Sequence, residues 1–361
     1  MDVTDEPAVT GDSGLTALGA GMPDARTSPG HLPVLVDRVA ALLTPALGPG
    51  TVVMDGTVGL GGHAEALLAA TGDRDDPARV AGTPVLVGID RDPAALEIAA
   101  RRLRRFGDRV RLVHAVNDDP AGVLRRAGVS DLPVAGMLLD LGVSSLQLDD
   151  DDRGFSYARD TPLDMRMDPT TGIDAAGVLN TYPVEELTRV LRTFGEERYA
   201  PAIARGIAAA RTRGPLRTSR DLVDVVVAAY PRVRPGRGGR RESGGHPAKK
   251  TFQALRIEVN GELDALSRVL GAAVDLLTDG GRIVVLAYHS GEDRRVKQSF
   301  AAAARPDVPD DVPVVPPGRG PRLRLLTRGA EKASAAELSA NPRASSARLR
   351  AAERLARVGA A

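Results

Sequence analysis

Residues 51–70 place the tightest constraint on what this chain folds into. A short apolar run, Thr51-Val52-Val53, leads into Met54-Asp55-Gly56-Thr57-Val58-Gly59-Leu60-Gly61-Gly62-His63. The helix-forming run Ala64-Glu65-Ala66-Leu67-Leu68-Ala69-Ala70 follows. The order is strand, glycine turn, helix. Glycine tolerates positive φ and leaves room against the backbone, so the turn predicts a nucleotide-like cofactor. The pattern continues downstream, with strands expected at 51–55, 85–90, 109–115 and 134–141 and helices at 62–70, 93–105 and 118–127. Strands that alternate with helices predict βαβ units and a parallel sheet. The hydrophilic stretch 71–83 reads as a surface insertion.

With 361 residues, 43% of them hydrophobic, the chain has material for a sizeable core and two domains. Residues 1–30 are rich in Gly, Pro, Asp, Ser and Thr and read as a disordered extension. Folding is expected to begin at His31-Leu32-Pro33-Val34-Leu35, followed by an amphipathic helix through Leu43. After Asp140 the pattern changes: 143–182 is polar and turn-rich, helices are expected at 184–195, 198–213 and 218–230, and 231–247 is a Gly/Pro/Arg loop. Residues 150–249 therefore read as a helical subdomain inserted into an α/β domain made of 31–149 and 250–361. One helix over 249–277 leads back to a strand at 282–288. Beyond it come a Pro/Asp-rich loop (304–321), an edge strand (322–327) and a C-terminal helix (345–357).

Three carboxylates close predicted strands: Asp55, Asp90 and Asp140. Ligands of open α/β sheets bind at the carboxyl ends of the strands, so the three are expected along one edge. Gly59, Gly61 and Ala64 fit the loose dinucleotide pattern, but Asp55 four residues earlier would repel a pyrophosphate. It suits the amino group of a phosphate-free cofactor such as S-adenosylmethionine, or an ordered water. Asp90 is placed to hold ribose hydroxyls, which NAD and S-adenosylmethionine both present. Asp92 before Pro93 is the better helix cap, which leaves Asp90 for a ligand. Capping alone remains an alternative for Asp90 and Asp140.

The chain has no cysteine, which excludes disulfides, thiolate metal sites and a cysteine nucleophile. Cytosine C5 methylation commonly uses such a nucleophile, so that chemistry is disfavoured. No metal is assigned. A net charge of +1 gives no global attraction to nucleic acid. Locally, cations dominate between Arg205 and Lys250, and Arg343, Arg348, Arg350, Arg354 and Arg357 form a second group. The N-terminus lacks a signal-peptide pattern and no apolar run is long enough to span a membrane, so a cytoplasmic location is expected.

The chain resembles the bacterial 16S ribosomal RNA cytosine N4-methyltransferases of the MraW type. The resemblance rests on blocks in order: His31-Leu32-Pro33-Val34-Leu35, Asp55-Gly56-Thr57, Gly61-Gly62-His63, Ile89-Asp90-Arg91-Asp92-Pro93 and Leu139-Asp140-Leu141-Gly142-Val143-Ser144-Ser145. Gln147-Leu148-Asp149, Arg153-Gly154-Phe155-Ser156, Gly195-Glu196-Glu197-Arg198, His289-Ser290 and Asn341-Pro342-Arg343 continue it. The resemblance implies a Rossmann-like sheet that binds S-adenosylmethionine and methylates N4 of one cytidine in 16S rRNA of the small ribosomal subunit, with no DNA or membrane partner. It implies cofactor contacts at Gly62, His63, Ala64, Asp90, Asn117, Asp140 and Gln147. Asn117 stands where the family usually has phenylalanine. Asp140 is further expected to hold the cofactor or accept hydrogen bonds from the target amine, and His289, at a strand end, to face the target pocket; both are taken as catalytic. An NAD-dependent oxidoreductase and a catalytically idle RNA-binding assembly factor are the competing readings.

Overall fold

The computed structural model describes residues 32–72, 83–230, 246–309 and 315–356. The expected N-terminal extension (1–30), residues 73–82 of the surface insertion and residues 231–245 of the basic loop lie outside the described residues. Among those described, seven strands make one sheet in the order β3-β2-β1-β4-β5-β7-β6. They are β1 (Val52–Asp55), β2 (Val85–Asp90), β3 (Val110–His114), β4 (Val134–Asp140), β5 (Leu277–Ala287), β6 (Leu323–Leu325) and β7 (Arg348–Arg354). Strands β1 to β5 pair in parallel, and β7 runs antiparallel between β5 and β6.

Alternation along the strands divides the core between two faces. Met54, Ile89, Leu139, Ile283 and Val285 face α4 (Pro120–Arg126), α11 (Glu262–Leu276) and α12 (Ser290–Ala303). Val53, Leu86, Leu138, Val284 and Leu286 face α1 (Val36–Leu43), α2 (Gly62–Ala70) and α3 (Pro93–Leu103). After the short helix α5 (Ser145–Asp149), a third cluster forms among α6 (Ala175–Thr181), α7 (Val184–Gly195), α8 (Ala200–Arg211) and α9 (Ser219–Ala229). The helix α10 (Ala248–Asn260) joins the two regions: Phe252 and Leu255 belong to the helical cluster, Ile257 to the sheet's core.

Three local expectations are corrected. Strand β7 (Arg348–Arg354) occupies most of the stretch expected as a helix over 345–357. Its alanines and arginines favour a helix locally, but pairing Leu349 with Leu286 and Ala351 with Val284 covers the otherwise open edge of β5, and tertiary pairing prevails. The single helix expected over 249–277 is two, because Gly261 adopts φ +58 and closes α10. The turn-rich stretch 143–182 contains α6, whose cap Asp174 accepts from the Gly177 N–H at 2.6 Å.

Candidate functional site

The chain leaves β1 toward β2 on one side and returns through β4 on the other, so the strand order reverses between β1 and β4. A crevice forms at the carboxyl ends of strands beside such a reversal. Asp55 ends β1, Asp140 ends β4 and Asp90 ends β2. The sheet therefore brings the three predicted carboxylates to one edge, two of them at the reversal itself.

Asp90 is less free than expected. Its Oδ2 accepts from the Gly59 N–H at 2.9 Å and its Oδ1 from the Asp92 N–H at 2.9 Å, tying the glycine turn to the β2–α3 turn. Burial raises its pKa, while these two donors pull it back. Asp92 caps α3 through the Ala94 N–H, as expected, at 3.1 Å. It is completely buried and also receives Gln147 Nε2 and Arg153 Nη2, each at 3.0 Å. Gln147 Oε1 accepts from the Ser144 N–H in a capping box. Both ends of the Gln147 amide are thus engaged within the protein.

The start of α2 is shaped by packing. A Cβ on Gly62 would lie 2.6 Å from Pro33 Cγ, so glycine admits the segment 32–35 across the helix start. Ala64 is fully buried. His63 is buried too; its Nε2 lies 2.9 Å from the Val34 carbonyl and its Nδ1 3.4 Å from Asp140 Oδ2. Asn117 is half-buried beside Gly56, its Nδ2 3.5 Å from where a Cβ on that glycine would be.

Asp140 is held from three sides. Its N–H donates to Thr57 Oγ1 at 2.6 Å, Tyr288 Oη donates to its Oδ1 at 2.7 Å, and His63 faces its Oδ2. Burial raises the Asp140 pKa against the opposing pull of His63 and Tyr288. Asp55 is 1% exposed and accepts from the Thr57 N–H at 3.2 Å. Burial pushes its pKa up to about 7; His63 lowers it, and Asp140 and Asp90 raise it. No arginine or lysine pairs with Asp55 among the described residues. A buried carboxylate with so little compensation fits a cationic cofactor.

His289 caps α12: its Nδ1 accepts from the Gly291 N–H at 3.1 Å, and its Nε2 lies 3.2 Å from Glu292 Oε1. Glu292 Oε2 accepts from the Tyr288 and His289 N–H groups at 2.8 and 3.2 Å. Nδ1 holds this turn, while the buried Nε2 approaches Glu292 without forming a hydrogen bond. Tyr288, Thr57 and Arg153 were assigned no role in the sequence, and Asp92 only that of the helix cap. The blocks Asp55-Gly56-Thr57, Ile89-Asp90-Arg91-Asp92-Pro93 and Arg153-Gly154-Phe155-Ser156 contain three of the four, and Tyr288 lies in none of them.

Fold and edge chemistry together define a class, the Rossmann-like methyltransferases that use S-adenosylmethionine. Within that class the model of the MraW methylase family matches residues 28–355, and the chain belongs to this family. A protein named ribosomal RNA small subunit methyltransferase H from Nocardioides sp. (strain ATCC BAA-499 / JS614) is 54% identical over 336 residues, covering 93% of this chain and 100% of the relative. Proteins of the same name from Saccharopolyspora erythraea and Frankia alni are 55% and 57% identical, covering 90% of this chain in each case and 93% and 95% of the relatives.

Proposed function

We propose that this protein transfers a methyl group from S-adenosylmethionine to the exocyclic N4 of one cytidine in 16S rRNA of the small ribosomal subunit, acting in the cytoplasm. The observation that carries the reading is the convergence of Asp55, Asp90 and Asp140 at the β1/β4 reversal, on a chain of the MraW methylase family. Names of the relatives supply the ribosomal substrate.

The cofactor supplies an activated methyl group on a sulfonium. The chain's residues bind and orient. Asp90 and the Gly59 turn hold the ribose side, and Asn117 beside Gly56 lines the adenine side. The Gly62-His63-Ala64 start of α2 and Asp55 face the charged methionine end. Gln147 acts through Asp92, which fixes the turn that carries Asp90. Asp140 lies where cofactor and target meet. The N4 lone pair is delocalised into the ring, so an acceptor for its N–H bonds favours the reactive pyramidal amine; Asp140 supplies one. His289 holds the loop that carries Tyr288. Positioning and fixed electrostatics account for such a reaction without a covalent intermediate.

Residues 31–149 with 250–361 form the methyltransferase domain in this reading, and 150–249 the substrate-recognition subdomain. Arg205, Arg213, Arg217 and Lys249 are exposed there, as is Lys250 at its boundary, and they suit phosphate contacts. Among the described residues no helix is long and apolar enough to cross a membrane. The test is methyl transfer from labelled cofactor to small subunits from a strain lacking the enzyme, followed by nucleoside analysis. Absence of N4-methylcytidine would sink the proposal.

A further inference from the structure

Tyr288 follows β5, beside β4, and its hydroxyl donates to Asp140 Oδ1 at 2.7 Å. Gly142 takes φ +101 beside the ring, where a Cβ would make an ordinary contact, 3.4 Å from Tyr288 Cδ2. The Tyr288 N–H is held by Glu292, which also braces His289. The other carboxylate oxygen, Oδ2, is 3.4 Å from His63 Nδ1. A carbonyl only accepts, so the Val34 carbonyl 2.9 Å from Nε2 places a hydrogen on that nitrogen. Nδ1 is then the atom left to face Asp140. With no proton between them, the Nδ1 and Oδ2 lone pairs would oppose each other, so the pair has a place for one proton.

We propose that Tyr288 is a positioning residue for the methyl acceptor: it pins Asp140 by Oδ1 so that Oδ2, backed by His63, meets the exocyclic amine and receives its proton. This rests on the N4 chemistry proposed above. In the balanced step a nitrogen–methyl bond forms at N4 and the sulfur–methyl bond breaks with its electron pair left on sulfur. The amine's proton passes to Asp140 Oδ2, where His63 Nδ1 shares it. The charged groups that face Asp140 are His63 from α2, Asp55 from β1 and Glu292 from α12. His63 and the Tyr288 hydroxyl favour the carboxylate; Asp55 and Glu292 oppose it.

Tyr288→Phe keeps the ring and removes the donor. Its kcat is expected to fall roughly 10²-fold, as for misplacement of a reacting group, while KM for subunits and Kd for S-adenosylhomocysteine stay within about twofold. The acidic limb of the kcat profile should move to higher pH, because Asp140 loses a hydrogen bond to its charged form. Asp140→Asn, made alongside, should lose that limb altogether. Calorimetric binding of S-adenosylhomocysteine checks that Tyr288→Phe retains a folded site, and cooperative thermal unfolding checks that Asp140→Asn is folded. Unchanged kcat in Tyr288→Phe, or a lower kcat with an unmoved acidic limb, overturns the inference. Wild-type protein that yields no N4-methylcytidine overturns the underlying reading instead.

Discussion

Asp55→Asn is expected to stabilise the ligand-free protein in alkaline solution and to weaken its hold on the cofactor. Asp55 is 1% exposed, and burial raises its pKa from 3.8 to about 7. The folded chain therefore binds this proton more tightly than the unfolded chain does. The associated stability is fully present below about pH 4 and is lost as pH rises through about 7. A shift of about three units corresponds to an upper value of about 4 kcal/mol, at about 1.4 kcal/mol per unit. Asparagine keeps an oxygen for the Thr57 N–H and carries no charge to bury. Urea denaturation of both proteins at pH 4.5 and pH 8 measures the effect. The variant's advantage should grow by roughly 2–3 kcal/mol between the two. A variant less stable than wild type at pH 8, or an advantage independent of pH, would refute the reasoning. The second half of the prediction concerns the cationic ligand, which favours ionised Asp55. Wild-type affinity for S-adenosylmethionine should therefore decline below about pH 7, and Asp55→Asn should bind more weakly with no such decline.

Arg153→Leu should cost about 3–5 kcal/mol, because it strands the completely buried Asp92 carboxylate; adding Asp92→Asn should recover much of the loss in a denaturation double-mutant cycle. Gly154→Ala should cost well over about 2 kcal/mol, since φ is +71 and a Cβ would lie 2.1 Å from the Pro162 carbonyl oxygen; Gly128→Ala, at φ +70 in open space, should cost only about 1–2 kcal/mol, and equal melting shifts would contradict the steric account. Charge removal at Lys249 and Lys250 should weaken RNA binding and flatten its salt dependence while leaving S-adenosylhomocysteine affinity unchanged; an unaltered salt slope counts against an RNA face there.

Much of the parallel half of the sheet was legible because β1, β2 and β4 are short apolar runs closed by a turn, and the buried alternation of Val53 and Met54 or Leu138 and Leu139 repeats that pattern in space. Strand β7 was not. Arg348-Leu349-Arg350-Ala351-Ala352-Glu353-Arg354 is built from good helix formers, and only the open edge of β5, 61 positions earlier at Ala287, makes it a strand. The break at Gly261 was visible as a glycine, but glycine is tolerated in helices often enough that the residue alone does not decide the matter. Its left-handed φ does.

The site follows the same division. Asp55, Asp90 and Asp140 lie at strand ends, so their meeting follows from topology once the strands are known. How each is held depends on partners far away in sequence. Asp140 is bonded by Tyr288, 148 residues on, and Asp92 by Arg153, 61 residues on. Sequence position at the end of β5 pointed to His289, expected there to face the target pocket. The backbone turn places the neighbours differently: His289 falls at the cap of α12 and accepts from the Gly291 N–H through Nδ1, and the adjacent phenol is directed at the carboxylate. One residue of register at a strand end thus separates the residue that caps α12 from the residue whose hydroxyl reaches Asp140. That register is set by the buried Glu292, which accepts from both backbone N–H groups of the turn.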